Sequence, residues 1–370
     1  MKKVLLLADV NSTHTRKWAL AIANEGFNVG LYSLSKLNTN WFKDYASIEC
    51  LSDSSITDIA YRKDPGKLSY IKALPALKRA IKTFKPDVLH AHYATSYGML
   101  GALSGFHPFV LSVWGSDIYE FPKKSFLHKY LVKRNLKKAD RILSTSHSMA
   151  VETAKYSKAN VDVTPFGIDI NIFKPQEVKS VFDENDIVIG TVKALEPVYG
   201  IKYLIEAFDI LHKKHSGLPL KLLIVGTGSQ EAELKQLCKI YGLGEDVKFT
   251  GWVNYDQVPI YHNMIDVYVA LSESESFGVS VLEASACAKP VVVSNVSGFA
   301  EIVENGVTGI IVPVKNARVA ASAIEKLIND RQYAKAMGEK GRERVERFYN
   351  WSSNINDIVK IYNSVLNHQE

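Results

Sequence analysis

Apolar runs of five to seven residues alternate along the chain with stretches of helical periodicity, and glycine or proline separates most of them. Residues 4–10 (VLLLADV) predict a buried strand, residues 15–25 a helix closed by Gly26, and residues 28–34 a second strand. An amphipathic helix over 71–84 leads to a third strand over 85–93, which ends in His90 and His92. A fourth strand starts at residue 109 and runs into Gly115-Ser116-Asp117; another occupies 140–146. After an irregular Pro/Gly connector at 163–175 the pattern restarts: a strand at 187–195, a helix at 200–212, then strand, G-T-G-S loop and helix over 220–237. Strands at 247–253 and 267–271 follow, then a helical pattern through Val279, Val281, Leu282 and Ala286 closed by Lys289-Pro290, sheet-continuing stretches at 291–303 and 306–313, and helices at 317–329, 331–347 and 351–366. Strand-helix alternation in both halves predicts two doubly wound α/β domains.

Composition narrows the class. A chain of 370 residues with 46% hydrophobic and 23% charged residues is globular, and of a length for two domains. Cys50, Cys238 and Cys287 are unpatterned, which argues against a disulfide framework or zinc site and for a reducing, cytoplasmic compartment. The opening lysines and leucines imitate a signal peptide, but the apolar run stops at Asp9, short of the ~7–15 residues such a core needs. Charge is uneven: residues 1–170 carry a net +10 and residues 171–370 a net −4. Residues 123–138 (KKSFLHKYLVKRNLKK) hold seven cations and no acid, and Phe126, Leu127, Tyr130, Leu131 and Leu136 recur at helical spacing. Two readings stay open there, a solvated helix packed by that apolar face and a helix lying on anionic lipid head groups.

The chemistry concentrates at 270–290, ALSESESFGVSVLEASACAKP. Glu275 and Glu283 stand eight apart, across a strand-loop-helix turn containing Ser276, Phe277 and Gly278. Ligands of open α/β sheets sit beyond the carboxyl ends of the strands, and free N–H groups of Phe277, Gly278 and Val279 at a helix start would cradle an anion such as phosphate. A helix starting near Ser276 would carry Glu283 roughly 10–12 Å along its axis from Glu275, enough to span a sugar and a ribose. His14, Arg16 and Lys17 form a cationic cluster after the first strand; they either decorate a helix start or meet an anionic ligand. His90 reads as a core histidine and His92 as the better placed of the two for a cleft. The glycines of G-T-G-S, Gly226 and Gly228, are donor-site candidates, although G-x-G-x-x-G for a nicotinamide dinucleotide is absent because position 231 is Glu.

E-S-F-G-x-S-x-L-E-A followed by KPVVVS resembles the donor site of the retaining glycosyltransferases of family 4, and K-P-D-V-L-H-A-H at 85–92 is familiar from the same family. The resemblance covers nearly the whole chain and is tightest over 187–351. It implies the GT-B fold, two Rossmann-like domains facing across a cleft, 1–167 for the acceptor and 168–350 for a UDP- or GDP-sugar, with the last helix (351–370) packing back on the first. Glu275, His92 and Asp117 are then the catalytic candidates. Lys193, Gly226, Gly228, Val253, Ser276, Phe277, Gly278, Val279 and Glu283 would hold the donor: Glu275 on the transferred sugar, Glu283 on the ribose, Lys193 on the diphosphate, and the backbone of 251–253 on the base. His14, Arg16 and Trp114 would face the acceptor and cleft. This chain departs from the family in carrying Trp114 where many members have histidine, and Tyr199 before Gly200 where they have lysine. The implied reaction retains anomeric configuration, uses no cofactor and no bound metal, and builds cell-envelope polysaccharide or glycoconjugate on a glycan or lipid-linked acceptor. It would take place in the cytoplasm or at the inner face of the membrane, through the basic helix, without nucleic acid. A non-catalytic sugar-nucleotide-binding subunit and a sugar-nucleotide epimerase are the alternatives.

Overall fold

The computed structural model describes residues 1–52 and 67–367, with backbone alone at 67–69, and divides into two compact units. Unit 1 comprises Met1–Pro165 with Asn354–Glu370, and unit 2 comprises Phe166–Ser353. The strands of unit 1 are β1 (Lys3–Leu7), β2 (Asn28–Tyr32), β3 (Ile48–Cys50), β4 (Val88–His92), β5 (Phe109–Val113), β6 (Arg141–Ser144) and β7 (Val161–Val163). They form one parallel sheet in the order β3-β2-β1-β4-β5-β6-β7. Its helices are α1 (Thr13–Asn24), α2 (Leu74–Phe84), α3 (Ser96–Ser104), α4 (Ser116–Tyr119), α5 (Phe126–Lys138) and α6 (His147–Ala154).

Unit 2 holds β8 (Ile187–Val192), β9 (Leu220–Val225), β10 (Val247–Gly251), β11 (Val267–Ala270), β12 (Val291–Ser294) and β13 (Ile310–Val312), parallel in the order β10-β9-β8-β11-β12-β13. Helices α7 (Ile201–Lys214), α8 (Glu231–Ile240), α9 (Val258–Met264), α10 (Val279–Ala286), α11 (Ser297–Ile302), α12 (Ala317–Asn329) and α13 (Arg331–Phe348) surround it, and α14 (Trp351–Asn367) ends the described chain. A parallel strand covered on both faces needs apolar residues at every position, because consecutive side chains point to opposite layers. Strand β9 shows this: Leu222 and Ile224 pack with Phe208 of α7 and Ile324 of α12, while Leu223 and Val225 pack with Leu282 of α10 and Val345 of α13. The predicted doubly wound class is the observed one.

Both strand orders reverse direction at a central pair, β1 beside β4 in unit 1 and β8 beside β11 in unit 2. The connections leaving such a pair diverge to opposite faces, so each sheet opens a crevice at those carboxyl ends.

One predicted face is corrected. Phe126, Leu127 and Tyr130 do not pack α5 onto its unit; they are 86%, 55% and 55% exposed. The buried residues are Val132, Asn135 and Leu136, and the Asn135 amide donates to the Ala94 carbonyl at 2.9 Å. That bond and the two apolar neighbours fix the rotation of the helix. At 100° per residue, Phe126, Leu127, Tyr130, Lys133, Arg134, Lys137 and Lys138 all fall within about 75° of the direction opposite the buried stripe. The helix therefore presents large apolar groups and cations on one outward surface.

Candidate functional site

In unit 2 the crevice lies where β8 and β11 end. Strand β8 delivers Lys193, whose N–H donates to the Val225 carbonyl at 2.9 Å. Beyond β11 the loop carries Glu275, and the Lys193 Nζ donates to its Oε2 at 2.5 Å. Both side chains are largely buried, 14% and 12% exposed. Burial alone would lower the lysine pKa, but the Glu275 carboxylate and, less so, Tyr268 and Tyr199 outweigh it and raise the pKa above its ordinary value. Lys193 is thus a cation here, compensated by Glu275.

Glycine makes the loop possible. Gly278 precedes α10 at φ +106, and a Cβ there would lie 2.8 Å from the Phe299 ring. Gly298 lets α11 close on the same loop, since a Cβ would lie 2.6 Å from both the Glu275 carbonyl and the Phe277 nitrogen. Phe277 is buried in the core below. The N–H groups of Phe277, Gly278 and Val279 take no acceptor among the described residues, and α10 begins at Val279 beside them. This start lies later than a helix from Ser276, so Glu283 is about one turn in rather than two. Half-buried Ser276 lies between Glu275 and Phe277 in that loop.

Glu283 is buried, and the Tyr255 hydroxyl donates to its Oε1 at 3.2 Å. Burial, and then the neighbouring carboxylate, push the Tyr255 hydroxyl well above its ordinary pKa, which keeps it a donor. Buried His262 places Nε2 3.5 Å from Glu283 Oε2 without hydrogen-bond geometry. Tyr255 and His262 carried no motif; both are set by α9 and the turn before it.

Gly226 and Gly228 have a packing role that accounts for them. A Cβ would come within 2.1 Å of the Lys193 carbonyl at the first and 2.4 Å of the Leu195 carbonyl at the second. They bring the ends of β8 and β9 together, and the Gly226 N–H donates to Gly251 at 3.0 Å. Val253 is half-buried beyond Gly251, next to Trp252, which is 72% exposed.

In unit 1 a cavity of about 450 Å³ opens at the ends of β1 and β4, lined among others by Asp9, Thr15, His92, Thr95, Tyr97 and Trp114. His90 is the satisfied core histidine: Nδ1 pairs with the Tyr362 hydroxyl at 2.6 Å and Nε2 with the Ser112 hydroxyl at 2.8 Å. His92 is 2% exposed and its Nδ1 has no hydrogen-bond partner among the described residues. Burial, then the neighbouring His90 and His14, hold its pKa well below the histidine range, so it is neutral. Its ring lies 4.4 Å from Trp114, and His14 meets the same indole edge-on at 6.1 Å.

Asp117 and Arg16 are not among the residues that line this cavity. Asp117, expected among the catalytic groups, is 1% exposed and accepts from the N–H groups of Ala94 (2.7 Å), Gly115 (2.8 Å) and Trp114 (3.2 Å). Burial raises its pKa against those bonds. Its oxygens are spent on holding the loops after β4 and β5 together, which is a bracing role. Arg16 is exposed on α1 with its guanidinium 5.9 Å from the Trp41 ring, and it does not line the cavity.

Comparison with known proteins agrees with this fold. The family "Glycosyl transferases group 1" matches residues 173–344, and "Glycosyl transferase 4-like" matches residues 3–146. The N-acetyl-alpha-D-glucosaminyl L-malate synthase of Bacillus anthracis is 27% identical over 292 residues, 76% of this chain and 75% of that one. Sucrose-phosphate synthase from Thermosynechococcus elongatus superimposes with a TM-score of 0.84 at 22% identity, covering 100% of both chains. The Anabaena protein HepE, solved with UDP and glucose, gives a TM-score of 0.76 at 18% identity over 98% of this chain and 100% of that one. With two doubly wound parallel sheets and a family match in each unit, this chain belongs to the group 1 glycosyl transferases of the GT-B fold.

Proposed function

We propose that the chain transfers a sugar from a UDP- or GDP-sugar to a glycan or lipid-linked acceptor of the cell envelope, with retention of configuration and without a metal. The observation that carries this reading is the convergence of Lys193, Glu275 and the unbonded N–H groups at the start of α10 on the switch point of unit 2. Negative charge grows on the departing diphosphate in the transition state, and a buried ammonium beside a helix start is the preorganised partner it needs. Glu283, supported by Tyr255, is suited to a pair of ribose hydroxyls. A double displacement would need a carboxylate nucleophile beneath the anomeric carbon, and in this reading Glu275 binds the transferred sugar instead. Retention then proceeds by same-face attack, the leaving phosphate accepting the acceptor's proton. The cavity in unit 1, with the Trp114 indole and neutral His92, would take the acceptor.

The outward surface of α5 supports work at an anionic membrane face on the cytoplasmic side. No described helix is long and apolar enough to cross a membrane; the contact proposed is a peripheral one through α5.

The test is a thermal-shift panel of nucleoside diphosphates, UDP first because HepE was solved with it, followed by NMR assignment of the product's anomeric configuration. A ligand at a hundredfold over its Kd adds about 2.7 kcal/mol of apparent stability. A panel in which no nucleotide raises Tm would reject the donor reading, and an inverted product would reject retention alone.

A further inference from the structure

Lys193 has a second partner that the reaction outlined above does not use. The Tyr199 ring centre lies 4.3 Å from its Nζ, so the ammonium sits between an aromatic face and the Glu275 carboxylate. Tyr199 ends a short 3-10 turn, Pro197–Tyr199, and its position is built in. Gly200 closes that turn at φ +62, and a Cβ there would come within 2.2 Å of the Leu271 carbonyl. The Val198 carbonyl accepts from the Glu273 N–H at 2.7 Å, which fastens the turn to the loop that carries Glu275. The Tyr199 ring is itself half-buried against the core.

Resting on the donor reading, we propose that Tyr199 is a positioning residue that holds the Lys193 ammonium in the crevice while a nucleoside diphosphate replaces Glu275 as its anionic partner. A lone flexible lysine released from its carboxylate would sample many rotamers, and ordering it again would oppose binding. The ring face offers the ammonium an attraction that is independent of Glu275 and competes with no anion. Glu275 is then free to turn to the sugar.

The test compares Tyr199→Phe with Tyr199→Leu in the full chain, reading UDP affinity by calorimetry and turnover separately. A cation–π contact in a largely buried site corresponds to about five- to thirty-fold in affinity. Tyr199→Leu should weaken UDP by that factor and raise KM, while Tyr199→Phe stays within about twofold. Phenylalanine with successive ring fluorines at 199 should weaken UDP in graded steps, a readout that packing does not produce. In a Lys193→Ala background, Tyr199→Leu should cost nothing more, and uridine, which lacks phosphates, should bind all variants alike. Equal loss in Phe and Leu, a flat fluorine series, or a Leu effect that survives Lys193→Ala would overturn the proposal while leaving the donor reading intact. Failure of the wild-type chain to bind any nucleoside diphosphate would overturn both.

Discussion

The outward surface of α5 makes the most quantitative demand. If it lies on anionic lipid, two separable attractions act. Phe126 and Leu127 are 86% and 55% exposed, so insertion would bury most of what an exposed side chain can bury. Full burial is worth about 1.5–3 kcal/mol each; scaled by exposure, Phe126→Ser with Leu127→Ser should remove about 2–4 kcal/mol, roughly thirty- to a thousandfold in partitioning. Lys133, Arg134, Lys137 and Lys138 would each add about 1 kcal/mol near an anionic surface, so their replacement by Gln removes about 4 kcal/mol at low salt. Salt separates the two, because the charge attraction decays within about 10 Å at 0.1 M and the apolar one is indifferent to it. Sedimentation with phosphatidylcholine vesicles, with and without phosphatidylserine, reads both losses. The serine pair should weaken binding at every salt concentration, and the glutamine set should abolish the salt dependence and the preference for phosphatidylserine. UDP affinity should be untouched in both. Absence of vesicle binding at low salt, or binding that survives both sets, would refute the reasoning and favour a soluble acceptor.

Other expectations follow from the same contacts. Glu283→Ala should weaken UDP and uridine alike by about 1.5–3 kcal/mol and Tyr255→Phe by about 0.5–1.5, measured by calorimetry; an unchanged uridine affinity in a folded variant would remove Glu283 from the ribose. Glu275→Gln should lower kcat while UDP binds as well as or better than in the wild type, because Lys193 loses its internal counterion; Lys193→Ala should weaken UDP and lower kcat together. Burial lowers the pKa of His90 to about 3 and that of His92 well below the ordinary value, so the unfolded chain takes up protons first as pH falls. Stability should be full above about pH 6.5 and decline below it by up to ~1.4 kcal/mol per pH unit for each histidine; urea unfolding at pH 7.5 and 5.5 checks this, and His90→Gln should shrink the difference.

Much of this architecture is legible in one dimension because the inner strands β8, β9, β11 and β12 are buried on both faces, so their apolar runs stand out between polar turns. The Glu275–Glu283 stretch is equally visible, since the left-handed backbone at 278 calls for glycine and Phe277 is buried in the core. The face of α5 was not legible. Its periodicity points to Phe126, Leu127 and Tyr130, whereas the buried stripe is Val132, Asn135 and Leu136, held in part by a long-range bond from Asn135 to Ala94 that periodicity does not contain. Asp117 misleads for the same reason: a carboxylate after Gly-Ser at a strand end looks chemical until its three backbone donors are seen.

Tyr199 shows the reverse error. Compared position by position with a family that has lysine there, it reads as a missing cation and a weakened phosphate site. In three dimensions it is the ring under the cation that remains, fastened by Gly200 and Val198 to the loop of Glu275. Two lysines in so small a crevice would repel each other and need a ligand to reconcile them, whereas Lys193, Glu275 and Tyr199 form a set that is neutral and ordered before any ligand arrives. The substitution therefore exchanges a second charge for preorganisation of the first, and binding by this site should depend less on salt than binding by a site with two free lysines.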